Sequence, residues 1–172
     1  QPSLDPFQKY ENSYKNTIES ALVNLSNTNT DVDLLIWPES PLPYLNSSQD
    51  MKKLLARTNN LPVILSGGWE YSNGDLQNVM SVLGEKQTYA KQHLVLFGEY
   101  IPFEGLLRGL IEFFDMPMST IKAGNTNQEL FTINGRQVLG LICFDIAFPL
   151  SYIKQSKKAD FIVNISNDTW FG

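Results

Sequence analysis

The apolar positions of this chain fall in short runs separated by turn residues, with two stretches of helical spacing among them. Residues 7–25 set Phe7, Tyr10, Tyr14, Ile18, Ala21, Leu22 and Leu25 three and four apart, which predicts an amphipathic helix started at Asp5-Pro6. "DLLIW" (33–37), ended by Pro38, predicts a buried strand. "QDMKKLLARTN" (49–59) predicts a second helix, and "LPVILSGGWEY" (61–71) a strand broken by its glycine pair. "SNGD" (72–75) supplies an Asn-Gly turn, followed by a strand in "LQNVMSVLG" and a further extended segment, "QTYAKQHLVLF". "LFTINGRQVLGLIC" (130–143) has the clearest hairpin pattern, with Asn134-Gly135 suited to the positive φ angles of a type I′ turn. "SYIKQSKKA" predicts a short helix and "DFIVNIS" a last buried strand. Helices alternating with apolar strands, with hairpins between them, predict an α/β fold with a mixed sheet.

Composition narrows the classes. A chain of 172 residues, 42% hydrophobic and 18% charged, suits one globular domain with a sizeable core. The net charge is −5 and no basic run stands out, which argues against a nucleic-acid partner. One cysteine excludes an internal disulfide framework. The lone histidine, His93, argues against a zinc site and reads as a surface or satisfied side chain. No apolar stretch approaches the roughly 20 residues of a membrane span, and there is no signal peptide. The chain opens at Gln1 and stops at "NDTWFG", as expected of a piece of something longer.

Candidate chemistry sits where the apolar runs stop. "DLLIW" ends in Pro38-Glu39, "QTYA" runs into Lys91, and "VLGLI" ends in Cys143. Singly, Glu39 reads as a loop carboxylate, Lys91 as a solvated lysine and Cys143 as core filling. Together they are the parts of a thiol acyl-transfer site. A carboxylate can take the thiol proton, the thiolate can attack a carbonyl, and an ammonium with a backbone N–H can stabilise the oxyanion. A strand–Cys–turn–helix layout would also place the sulfur at a helix N-terminus, which favours thiolate.

The motifs "LLIWPES", "AKQHLVLFGEYIPF", "GLICFDIAFP" and "NISNDTWFG" resemble the nitrilase, or carbon–nitrogen hydrolase, superfamily. "WPES", "GEYIPF" and "NDTWFG" narrow the resemblance to its apolipoprotein N-acyltransferase branch. The resemblance implies a nitrilase-like α-β-β-α sandwich, incomplete in residues 1–172, with flanking strands and a membrane domain outside the chain. It makes Glu39 the general base, Lys91 the oxyanion stabiliser and Cys143 the nucleophile. Glu99 becomes a second glutamate that orients the lysine, and Phe144 lends its N–H to the oxyanion. Asp145 stands where glutamate is frequent in the family, which leaves its contacts open.

The resemblance further implies acyl transfer from a phospholipid, through a cysteine thioester, to the N-terminal amine of a diacylated lipoprotein. No metal or organic cofactor is implied. The expected location is the bacterial inner membrane, with the catalytic domain facing the periplasm. Residues 101–118, "IPFEGLLRGLIEFFDMPM", read from pattern as an amphipathic helix on the core or an arm entering the membrane interface. The resemblance favours the arm, with Leu106, Leu110 and Phe113 against lipid, and makes Trp170 and Phe171 lipid-contacting residues of a site-lining loop. Two alternatives stay open: a soluble nitrilase-type amidase using the same three residues, and a fragment without activity of its own.

Overall fold

The computed structural model describes residues 12–95, Glu99 and residues 121–167. The first helix, α1, is Asn12–Asn27, and it buries Ile18, Leu22 and Val23. Its expected start at Asp5-Pro6 and the positions Phe7 and Tyr10 lie outside the described residues. Leu25, expected on the apolar stripe, is 50% exposed; the inward position is Ser26, whose Oγ accepts from Trp37 Nε1 at 3.0 Å. Helix α2 (Gln49–Thr58) starts at Ser48, which accepts from the Met51 N–H at 3.1 Å and so satisfies one of the unpaired donors of the first turn.

Four strands form the first sheet: β1 (Leu34–Ile36), β2 (Val63–Ser72), β3 (Asp75–Val82) and β4 (Thr88–Ala90), in that spatial order. β1 runs parallel to β2, and the other neighbours are antiparallel. A second sheet has the order β5 (Phe131–Ile133), β6 (Arg136–Ile142), β7 (Phe161–Ile165), with β6 and β7 parallel. Both hairpins turn on Asn-Gly pairs with positive φ at each residue, +53° and +90° at Asn73-Gly74 and +50° and +76° at Asn134-Gly135. That is the type I′ geometry, whose twist matches the strands it joins.

Alternation along β2 separates the two cores. Ile64 faces the helices with Ile18, Leu22, Trp37, Met51 and Leu54. Leu65 faces the second sheet and packs with Met80, Phe131, Val138 and Ile142. The layers are therefore helices, sheet and sheet. Gly140 on β6 lets them close: a Cβ there would stand 2.7 Å from Met80 Sδ and 2.8 Å from the Phe131 ring.

Three expectations are corrected. The Gly67-Gly68 pair does not break β2, which runs through it. A Cβ at Gly67 would stand 2.5 Å from Ser40 N and 2.8 Å from Glu39 Cα, so glycine here serves a close backbone approach. Residues 91–95, after β4, form no strand, because the N–H groups of Gln92 and His93 turn to Asp145 Oδ1 in place of a strand neighbour; Leu96 and Phe97 lie outside the described residues. The strands of "DLLIW" and "DFIVNIS" are only partly buried. Ile36 is 51% exposed, Phe161 40% and Ile162 51%, because β1 and β7 end their sheets.

Candidate active site

Lys91 and Cys143 directly follow β4 and β6, and Glu39 lies three residues past the end of β1. Past β1, Trp37 N still donates to Leu65 O at 2.9 Å, and Gly67 N donates to Pro38 O at 3.2 Å. The chain then leaves the sheet through Ser40, at φ +41°, with the Glu39 side chain buried. Past β4, Lys91 N donates to Asn78 O at 2.9 Å, and Gly124 N donates to Lys91 O at 2.8 Å. The Gln128 side chain works as a surrogate peptide beside β4, accepting from Ala90 N and donating to Ala90 O, both at 2.7 Å. Lys91 thus has little freedom to move. Past β6, Cys143 takes φ +51°, a left-handed conformation that costs a residue with a Cβ about 1–3 kcal/mol.

These strand ends meet. Lys91 Nζ donates to Glu99 Oε1 at 2.8 Å and to Glu39 Oε1 at 3.1 Å, with the lysine side chain 1% exposed. Glu99 is braced by its own loop, its Oε2 accepting from Val95 N at 2.8 Å. Burial alone would lower the Lys91 pKa; the Glu39 and Glu99 carboxylates outweigh it and hold the ammonium above the ordinary lysine value. Cys143 lies within the field of all three groups.

The cysteine's electrostatics correct an expectation. Burial pushes the Cys143 thiol up, Glu39 pushes it further, Lys91 pulls it down, Glu99 adds to the rise and the Phe144 N–H opposes it; the net direction is up. The helical segment it opens is a five-residue 3-10 turn, Cys143–Ala147, too short to outweigh two carboxylates. The burial and the two carboxylates thus favour the protonated thiol over the thiolate.

Asn78, Tyr89 and Tyr152 were not singled out from the sequence, whereas Asp145, His93 and Phe144 were. Asn78, buried on β3, donates from Nδ2 to Glu39 Oε1 at 2.7 Å and to Glu99 Oε1 at 3.3 Å, while its Oδ1 accepts from Ser40 Oγ at 3.2 Å. Its only signal was an asparagine inside a strand, where that residue is disfavoured. Asp145 is fully buried. It does not join the lysine cluster; it accepts from Ile142 N, Gln92 N, His93 N and the Tyr89 hydroxyl. Its shorter side chain therefore ties the cysteine turn to the loop after Lys91. His93, half-buried, is satisfied by Asp145, Tyr152 and Ser151. Phe144 carries a 43% exposed side chain. Leu106, Leu110, Phe113, Trp170, Phe171 and the whole 101–118 segment lie outside the described residues.

Helices over one face of a mixed sheet, a second mixed sheet on the other, and acid, amine and thiol at the strand ends agree with what the sequence matches. The chain matches Carbon-nitrogen hydrolase over residues 8–172 and belongs to that family. Among curated relatives it is 38% identical over 166 residues to an apolipoprotein N-acyltransferase of Pseudomonas aeruginosa, a match covering 87% of this chain and 31% of the relative. An apolipoprotein N-acyltransferase of Vibrio vulnificus is 32% identical over 170 residues, covering 87% of this chain and 32% of the relative. The chain thus spans about a third of the length of the relatives it matches. Among solved structures, the C. elegans NitFhit protein superposes with a TM-score of 0.66 at 12% identity, over 92% of this chain and 41% of that one. A carbon–nitrogen hydrolase superfamily protein from Xanthomonas campestris gives 0.62 at 15% identity, over 89% of this chain and 59% of that one. These two share the fold.

Proposed function

We propose that this chain is the catalytic part of an enzyme that transfers an acyl chain from a phospholipid to the N-terminal amine of a diacylated lipoprotein. The observation that carries the reading is the buried Glu39–Lys91–Glu99 cluster beside Cys143, in a chain similar to apolipoprotein N-acyltransferases. Glu39 is the general base. Its Oε1 is held by Lys91 and Asn78, which fixes the carboxylate that takes the thiol proton. The sulfur attacks the ester carbonyl as Glu39 takes the proton, and the oxyanion rests on the Lys91 ammonium and the Phe144 N–H. Collapse breaks the ester C–O bond, and Glu39 returns the proton to the departing glyceryl oxygen, which leaves a lysophospholipid and an S-acyl Cys143. The acceptor amine then attacks the thioester as Glu39 takes its proton, the C–S bond breaks, and Glu39 hands the proton to the departing sulfur, which gives the amide, the Cys143 thiol and the Glu39 carboxylate.

A raised thiol pKa suits this order of events. The sulfur need not be ionised at rest, because its proton transfers to Glu39 as it attacks. The substrates are lipids, and we place residues 101–118 with Leu106, Leu110 and Phe113, and the loop of Trp170 and Phe171, against them at the inner-membrane surface, on the periplasmic side. Among the described residues no helix is long and apolar enough to cross a membrane. The test uses the full-length reading frame that carries this chain, incubated with phospholipid labelled in its acyl chain. Protein-bound label that hydroxylamine removes, and that Cys143→Ala lacks, is expected. Label that survives hydroxylamine or persists in Cys143→Ala refutes the thioester.

A further inference from the structure

Behind the cysteine turn, the hydrogens of a buried network can be assigned one by one. Asp145 Oδ1 accepts from Gln92 N at 3.2 Å and His93 N at 2.8 Å, and Oδ2 accepts from Ile142 N at 3.1 Å and Tyr89 Oη at 2.8 Å. Backbone N–H groups only donate, and an ionised carboxylate only accepts, so each of these contacts ends on Asp145. The Tyr89 proton is therefore committed to Asp145. In the 3.1 Å contact between Tyr89 and Tyr152, Tyr152 must then be the donor. With its one proton spent, Tyr152 Oη can only accept from His93 Nδ1, 3.0 Å away. The same Nδ1 lies 3.2 Å from Asp145 Oδ1, a second acceptor. Nδ1 must carry the hydrogen. The opposite tautomer would set the Nδ1 lone pair against the carboxylate and leave one hydroxyl contact without a proton. Nε2 faces Ser151 Oγ at 3.2 Å.

We propose that His93 is a positioning residue: held as the Nδ1–H tautomer, it closes a one-way ring through Tyr152 and Tyr89 onto Asp145 and so locks the Cys143 turn against the loop that follows Lys91. Three backbone hydrogen bonds give the ring its leverage on the site. Asp145 Oδ2 holds the N–H of Ile142, the residue before Cys143, and Oδ1 holds the two N–H groups that follow Lys91. The imidazole also stacks on Phe148, centroids 4.0 Å apart at 5°, and Phe148 meets Phe144 edge-on at 5.1 Å. His93 thereby steadies both flanks of the turn whose Phe144 N–H faces the reacting atoms. Its effect reaches them through Asp145 and Phe148.

The role rests on the proposed acyl transfer, but its first test does not. His93 is the only histidine of the chain, so selective 15N labelling gives one imidazole to observe. With the ring neutral, a pyrrole-type Nδ1 and a pyridine-type Nε2 are expected; the reverse pattern, or a mixture of tautomers, overturns the ring. The second test compares His93→Phe, which keeps the stack and removes the N–H, with His93→Asn, whose amide nitrogen can take the place of Nδ1. In the full-length enzyme His93→Phe should lower kcat roughly tenfold or more with KM unchanged, and His93→Asn should recover most of it. Unchanged kcat in His93→Phe, or equal impairment in both variants, overturns the proposal. Should even the unmodified enzyme transfer no acyl group, the reaction proposed above fails, and alkylation of the chain's one cysteine supplies the comparison. His93→Phe must then depart from both the unmodified chain and His93→Asn by about tenfold, and equal rates in all three overturn the role.

Discussion

Replacing Lys91 by methionine should expose how much of the fold depends on one ammonium. The Lys91 side chain is 1% exposed, and its partners Glu39 and Glu99 are 7% and 11% exposed. Methionine fills most of the same volume, so the loss is one of charge and hydrogen bonding. Removing one partner of a buried ion pair costs about 3–5 kcal/mol, chiefly because the remaining charge is stranded. Here two carboxylates would be stranded, held together by Asn78 Nδ2, which still donates to both. That remaining donor puts the expected loss in the lower part of the range, about 3–4 kcal/mol. In a domain of this size it corresponds to a fall in Tm of roughly 6–16 °C. Thermal and urea unfolding followed by circular dichroism measure it, for Lys91→Met, Glu99→Gln and the double variant. The double variant removes one of the stranded charges and should be less destabilised than the sum of the two single changes. A Lys91→Met chain that melts within 2 °C or so of the original, or a double variant that is simply additive, would refute the buried cluster. Turnover of the full-length enzyme should meanwhile fall about a hundredfold or more, the scale for losing an oxyanion group.

Alkylation of Cys143 should follow a pH curve displaced upward from the ordinary thiol pKa of about 8.5, because a raised pKa keeps the sulfur protonated until the pH climbs further. Glu39→Gln removes a raising influence and should move that curve to lower pH, whereas Lys91→Met should move it higher; a midpoint below the ordinary value contradicts the electrostatics. Gly67→Ala forces a methyl group to within 2.5 Å of Ser40 N and 2.8 Å of Glu39 Cα. It should cost about 1–3 kcal/mol in unfolding free energy and lower turnover beyond the loss of folded protein. Activity in proportion to folded protein would separate Gly67 from the placement of Glu39.

What the sequence determined by itself is the local part of the structure and which residues are candidates for the reacting groups. Both Asn-Gly hairpins are decided by residues that tolerate positive φ, and α2 by its apolar spacing and its Ser48 cap. Glu39, Lys91 and Cys143 stand out as chemical residues at the ends of apolar runs, a pattern visible within a few neighbours. The tertiary structure alone decided what surrounds them. Asn78 reaches Glu39 across 39 positions, Tyr89 reaches Asp145 across 56, and His93 reaches Tyr152 across 59. No periodicity of 2 or 3.6 residues encodes such pairs, since each depends on how two sheets and three loops pack. The same holds for the direction of the thiol's pKa. A strand end followed by a helical turn suggested a thiolate, but the outcome is a sum over burial, two carboxylates, one ammonium and one N–H, brought within range only by folding.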